Sequence, residues 1–182
     1  MATLVELTTL ITAWGEARGI VANSTPFAQA CKTHEELREL VEAKLSLEMC
    51  TAHDLYSESC VDELKDAIGD VYVTLVMVCA CNKTPVTGFE YQFCAPDVNP
   101  NAVKALYEYF TNLLQSCALC SGIESSQAVQ FEAVQMIGLL RDVCWNYKLD
   151  FTGCVLHAYE IISKRKGTIR PDGVFVKDAS CQ

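Results

Sequence analysis

The chain has 182 residues, about the size of one domain, long enough to bury a core without disulfides or metal and too short for two large domains. A hydrophobic share of 51% excludes a long disordered chain, and 23 acidic against 14 basic residues, a formal charge of −9, argue against nucleic acid or an anionic membrane as partner. Eleven cysteines cannot all pair, and Met1-Ala2-Thr3-Leu4-Val5-Glu6 lacks the basic start of a secretory signal, so reduced thiols in the cytoplasm are expected. Val71 to Asn82 is too short to span a bilayer, and the longer Tyr109 to Ile123 carries Thr, Asn, Gln and Ser; a soluble protein is expected.

Helix signals dominate. Ser24-Thr25-Pro26 offers an N-cap followed by proline, and the chain then runs to about Met49 without Gly or Pro, rich in Ala, Leu, Glu and Lys. A second helix is expected from near Ser59 to about Cys81, with Asp62 and Glu63 in its first turn and Leu64, Ile68, Val71, Leu75 and Val78 forming a one-sided apolar stripe. From Lys83 to Pro100 the pattern breaks at Pro85, Gly88, Pro96 and Pro100. Two further helices are expected at roughly Asn101 to Cys120 and Ser125 to Tyr147, separated by Ser121-Gly122. A last helix is expected from Asp150 as N-cap, closed by Gly167 as a left-handed C-cap after Lys164-Arg165-Lys166. Pro171-Asp172-Gly173 between short β-prone runs predicts a small hairpin or extended arm. The fold class is thus all-α, a bundle of about six helices in one domain over 1–182.

The acidic residues fall on two helical faces. Glu36 and Glu39 are three apart, on the same helical stripe as Leu40, Ala43 and Leu47; Glu63, Asp66 and Asp70 share a face beside the apolar stripe of the next helix. Like charges ~4 Å apart repel by roughly 4 kcal/mol at an effective dielectric near 20. A divalent cation removes that cost, and hard oxygen ligands suit Mg²⁺, Mn²⁺ or Ca²⁺. The alternative is that both acidic faces are ordinary solvated helix surfaces.

Lys32, then Glu35-Glu36-x-x-Glu39-Leu40, and later Asp66-Ala67-Ile68-Gly69-Asp70-Val71 resemble the EExxE and ExxD motifs of the MazG-like all-α nucleoside triphosphate pyrophosphohydrolases. Trp14-x-x-x-Arg18-Gly19-Ile20 before Ser24-Thr25-Pro26 is similar to the N-terminal helix and turn of their short phage and bacterial members. Cys154-x-x-x-Ala158-Tyr159, Lys164-Arg165-Lys166-Gly167 and Gly173-Val174-Phe175-Val176-Lys177 are similar to their last helix and C-terminal arm. The resemblance covers roughly 10–82 and 144–178, and about 83–143 reads as a helical insertion that the short members lack.

The resemblance implies a MazG-like bundle that hydrolyses a ribo- or deoxyribonucleoside triphosphate to its monophosphate and pyrophosphate with Mg²⁺, or Mn²⁺, held by carboxylates. It makes Glu36 and Glu39 metal ligands, with Asp66 and Asp70 as the second pair and Glu63 in reserve, because Ala67 stands at the family's motif glutamate. Glu35 or Glu36 would take the proton of the attacking water; Lys32, Arg165 and Lys166 would hold phosphate oxygens; Trp14 or Tyr159 would stack on the base. Lys32 also reads as a solvated lysine, the basic turn as a helix C-terminal complement, and the two aromatics as core. Glu160 and Ser163 replace an asparagine and a lysine common in relatives. Further expectations are a homo-oligomer, dimer or tetramer, in the cytoplasm, or the host cytoplasm if the chain is viral, with neither nucleic acid nor membrane as partner.

Cys117-x-x-Cys120 is half of a zinc site with no second CxxC, and Cys79, Cys117, Cys144 and Cys154 read as small buried hydrophobes. No GxxxxGK[ST] loop is present. The rival reading is a non-catalytic helical binding or regulatory protein on the same scaffold.

Overall fold

The structure, a computed structural model, describes residues 2–53, 57–84, 86, 98–119, 123–169 and 175–177. Each helix with a strong local start signal begins where that signal stands. Thr3 and Glu6 form a reciprocal capping box on α1 (Leu4–Ala17). Gly19, at φ 70°, turns the chain into the single-turn α2 (Ile20–Asn23). The Thr25 side chain caps the 27-residue α3 (Pro26–Ala52), with Pro26 in its first turn. α4 (Glu58–Cys81), α5 (Ala102–Ala118) and α6 (Ile123–Asn146) follow. The Asp150 carboxylate accepts from the Gly153 N–H at 2.9 Å and opens α7 (Phe151–Lys164). The expected arm is a short antiparallel pair, β1 (Gly167–Ile169) with β2 (Phe175–Lys177), Thr168 opposite Val176. The predicted breaks at Pro85, Gly88, Pro96 and Ser121-Gly122, the Pro171-Asp172-Gly173 turn and Cys120 lie outside the described residues.

α3 and α4 are antiparallel neighbours: Cys50 meets Cys60 beside their connection, and further along the pair Glu36 lies within electrostatic reach of Asp70. α4 packs against α1, α2, α3, α6 and α7, and this corrects the one-sided stripe expected for it. Leu64, Ile68, Val71, Leu75 and Val78 are all buried, but so are Ala67, Tyr72, Val73, Val76 and Met77 on the remaining faces. The tertiary environment of a central helix decides this, and a helix buried on all sides is apolar all round.

α5 and α6 pack as a pair on α3 and α4, and their Leu106, Leu113, Ile137 and Leu140 belong to one core cluster with Leu7, Leu40 and Ile162. α5 and α6, which fall within the helical insertion expected at about 83–143, are therefore built into the bundle core. Cys79, Cys117, Cys144 and Cys154 are buried, as expected of small hydrophobes. Among the described residues no helix is long and apolar enough to cross a membrane.

The expected C-cap at Gly167 is a correction. α7 ends at Lys164, Arg165 leaves it in extended conformation, and Gly167 opens β1. A left-handed glycine serves to satisfy the last helical carbonyls. Here side chains from the end of α1 do so: the Trp14 indole N–H donates to the Ile162 carbonyl at 2.9 Å, and Arg18, the residue after α1, donates to the Ser163 carbonyl and to that of Arg165 just beyond the helix.

Candidate active site

A cleft of about 360 Å³ opens between α3, α4 and the end of α7. α3 supplies Lys32, Glu36 and Glu39, one turn apart on one face, and α4 supplies Asp66 and Asp70, also one turn apart. Arg165 enters from the end of α7 and Trp14 from α1, while Val73 and Met77 contribute apolar wall. The antiparallel arrangement of α3 and α4 brings the two acidic motifs to one level, although nearly thirty residues of sequence separate them. Close approach of α7 depends on Gly69: a Cβ there would lie 2.5 Å from both the Ala158 Cβ and the Cys154 carbonyl oxygen.

The charges are unequally exposed. The Glu36 and Asp70 side chains retain 15% and 16% of their exposure, whereas Glu39 retains 55%. Lys32 pairs with Glu36 at 3.7 Å and forms a short contact with Glu35, and Arg165 lies 3.7 Å from Asp70. Burial first, then the nearby charges of Asp70 and Glu39, push Glu36 up to about 7 against the opposing pull of Lys32 and Arg165. For Lys32 burial acts downward, but the hydrogen bond it donates to Glu35 and the fields of Glu36, Glu35 and Glu39 together raise its pKa. The net acidity of the cleft is thus only partly offset by its own two cations.

The residues fit a hard divalent cation by donor chemistry. Four carboxylates face one cleft, and the Asp66 Oδ1 is buried without a hydrogen-bond partner, with His157 Nε2 3.9 Å away. They do not close on a single point: among the described residues no three His, Cys, Asp or Glu side chains form a group that could hold a metal ion.

Other expected site residues stand elsewhere. Glu35 is exposed outside the cleft and engages Lys32; Glu63 is exposed on α4 and accepts from the Ser59 hydroxyl at 3.3 Å. Tyr159 is half-buried against the core, and Lys166 is exposed. None of these four lines the cleft, and neither do Glu160 and Ser163. Trp14 does, but its N–H is engaged by Ile162 and the Arg18 guanidinium carbon lies 4.8 Å from its ring centroid. Gln29 and Thr74 also line the cleft, as residues sequence reasoning did not single out. Both are buried, and Gln29 bonds Ser24 at 2.9 Å; a polar residue on an inward stripe was the available signal.

No protein-family model matches the chain, and no curated protein or solved structure matches it. The likeness to MazG-like enzymes therefore rests on the motifs quoted above.

Proposed function

We propose that the chain is a Mg²⁺-dependent nucleoside triphosphate pyrophosphohydrolase, releasing nucleoside monophosphate and pyrophosphate. The observation that carries this reading is the gathering of Glu36, Glu39, Asp66 and Asp70 in one cleft with Lys32 and Arg165. Four carboxylates would hold the metal, and two cations would receive phosphate oxygens that the metal leaves unneutralised. When bound, Mg²⁺ or Mn²⁺ offsets triphosphate charge and acidifies a ligated water.

The chain's own residues have separable tasks. Glu36, pushed up to about 7 by burial first and then by Asp70 and Glu39, would give up its proton as the cation binds, and from its place between the acids of α3 and α4 it would serve as a ligand. Glu35 holds Lys32 from the solvent side and so acts on the phosphate only through that lysine. Val73 and Met77 supply apolar surface.

A second reading is favoured by buried Ala67, which stands at the position of the family's motif glutamate. It is a non-catalytic helical protein that binds nucleotide or regulates a partner. Pyrophosphate release with Mg²⁺ across a panel of NTPs and dNTPs separates the two readings. The enzyme gives turnover that Glu39→Gln reduces by a hundredfold or so, on the order of one lost charge-stabilising group. Absence of turnover on every nucleotide, with no Mg²⁺-linked rise in Tm, would sink the enzyme reading.

A further inference from the structure

The run Lys164-Arg165-Lys166 offers three cations at the end of α7, and only Arg165 lines the cleft, half-buried and 3.7 Å from Asp70. Lys164 and Lys166 are exposed. The selection occurs where the chain leaves the helix: Arg165 is extended, at φ −65° and ψ 130°. On both sides of Lys164 the carbonyls are held from the opposite end of the chain. One guanidinium nitrogen of Arg18 donates to Arg165 at 2.8 Å and to Ser163 at 3.3 Å, and Trp14 donates to Ile162 at 2.9 Å. Arg18 is itself seated over the Trp14 ring, and Gly19 turns the chain directly after it.

We infer that Arg18 is a positioning residue: by gripping the carbonyls of Ser163 and Arg165 it directs Arg165, among three neighbouring cations, toward Asp70 to receive the triphosphate. This rests on the reading of the cleft as a triphosphate site. A guanidinium suits the task because its planar array of donors is preorganised, so little freedom is lost when it engages two acceptors. The C-terminal ends of α1 and α7 thereby meet at the edge of the cleft, and the last turn of α7 answers to α1.

The test uses the full chain carrying Trp145→Phe, an exposed position away from the cleft, which leaves Trp14 as the single tryptophan of the original two. Binding of inorganic tripolyphosphate with Mg²⁺ is followed by calorimetry and Trp14 emission, and kcat and KM are measured on the best nucleotide. Arg18→Ala is expected to weaken tripolyphosphate binding roughly tenfold, as Arg165→Ala does, with the kinetic loss falling on KM more than kcat. The double variant should bind no more weakly than Arg165→Ala, since one residue acts through the other. Arg18→Lys, which keeps a donor, should fall between wild type and Arg18→Ala, and it carries the comparison if the alanine variant does not fold. Wild-type affinity in Arg18→Ala beside weakened Arg165→Ala, or losses that multiply in the double variant, overturns the inference and leaves the cleft reading standing. Absence of tripolyphosphate binding by the wild type overturns both.

Discussion

Glu36 sits at 15% side-chain exposure between Asp70 and Glu39 on one hand and Lys32 on the other, and its protonation links cleft chemistry to stability. Its folded pKa, about 7, lies above the ordinary 4.5, so the folded chain holds a proton that the unfolded chain has already released in that window. The stabilisation is fully present below about pH 4.5 and is lost as pH rises through about 7. The loss is on the order of 2 kcal/mol, below the full shift because water still reaches the carboxyl. Without divalent cation, Tm is expected to fall across this window, and Glu36→Gln should flatten the profile. Superimposable profiles would remove Glu36 as its cause. The same proton must leave before a metal is ligated, so Mg²⁺ affinity measured by calorimetry should be about tenfold weaker at pH 6 than at pH 8.

At the scale of elements, the contact of α4 with α7 at Gly69 sets how closely Arg165 can approach Asp70. Gly69→Ala would place a methyl 2.5 Å from the Ala158 Cβ and from a backbone oxygen, neither of which is the end of a flexible side chain. Overpacking of this kind costs about 1–3 kcal/mol. A denaturant midpoint lowered to match, with weakened tripolyphosphate binding, is expected; an unchanged midpoint would mean that α7 gives way freely. Asp150→Ala removes the side-chain cap of α7 and should cost about 1 kcal/mol in the same measurement. Both helix starts and acidic spacings were legible because caps and i, i+3 pairs are local. The end of α7 was misread, since its carbonyls are satisfied by Trp14 and Arg18 from the far end of the chain.

For the whole molecule, the question is whether α5 and α6 are an appendage or part of the bundle. Leu113 has no exposed surface and shares the core cluster with residues of α1, α3, α4 and α7. Leu113→Ala should therefore cost about 2–5 kcal/mol and lower one common unfolding transition. Two separated transitions, with only the first shifted, would show that the helical pair unfolds independently. The proposed homo-oligomer is tested at this scale by sedimentation of the intact chain, where a dimer or tetramer is the expected species.

The sequence by itself determined the all-α class, the approximate spans of α3, α4, α5, α6 and α7, a short C-terminal arm and the two acidic pairs, because periodicity, capping and turn chemistry act over a few residues. Tertiary structure alone decided which candidates share a cleft. Glu36, Glu39, Asp66 and Asp70 line one cleft because α3 and α4 run antiparallel, while Glu35 and Glu63, close by in sequence, are exposed outside it. It likewise selected Arg165 over Lys164 and Lys166. Side chains of neighbouring residues point in different directions, and the helices packed around them decide which of those directions leads to the site.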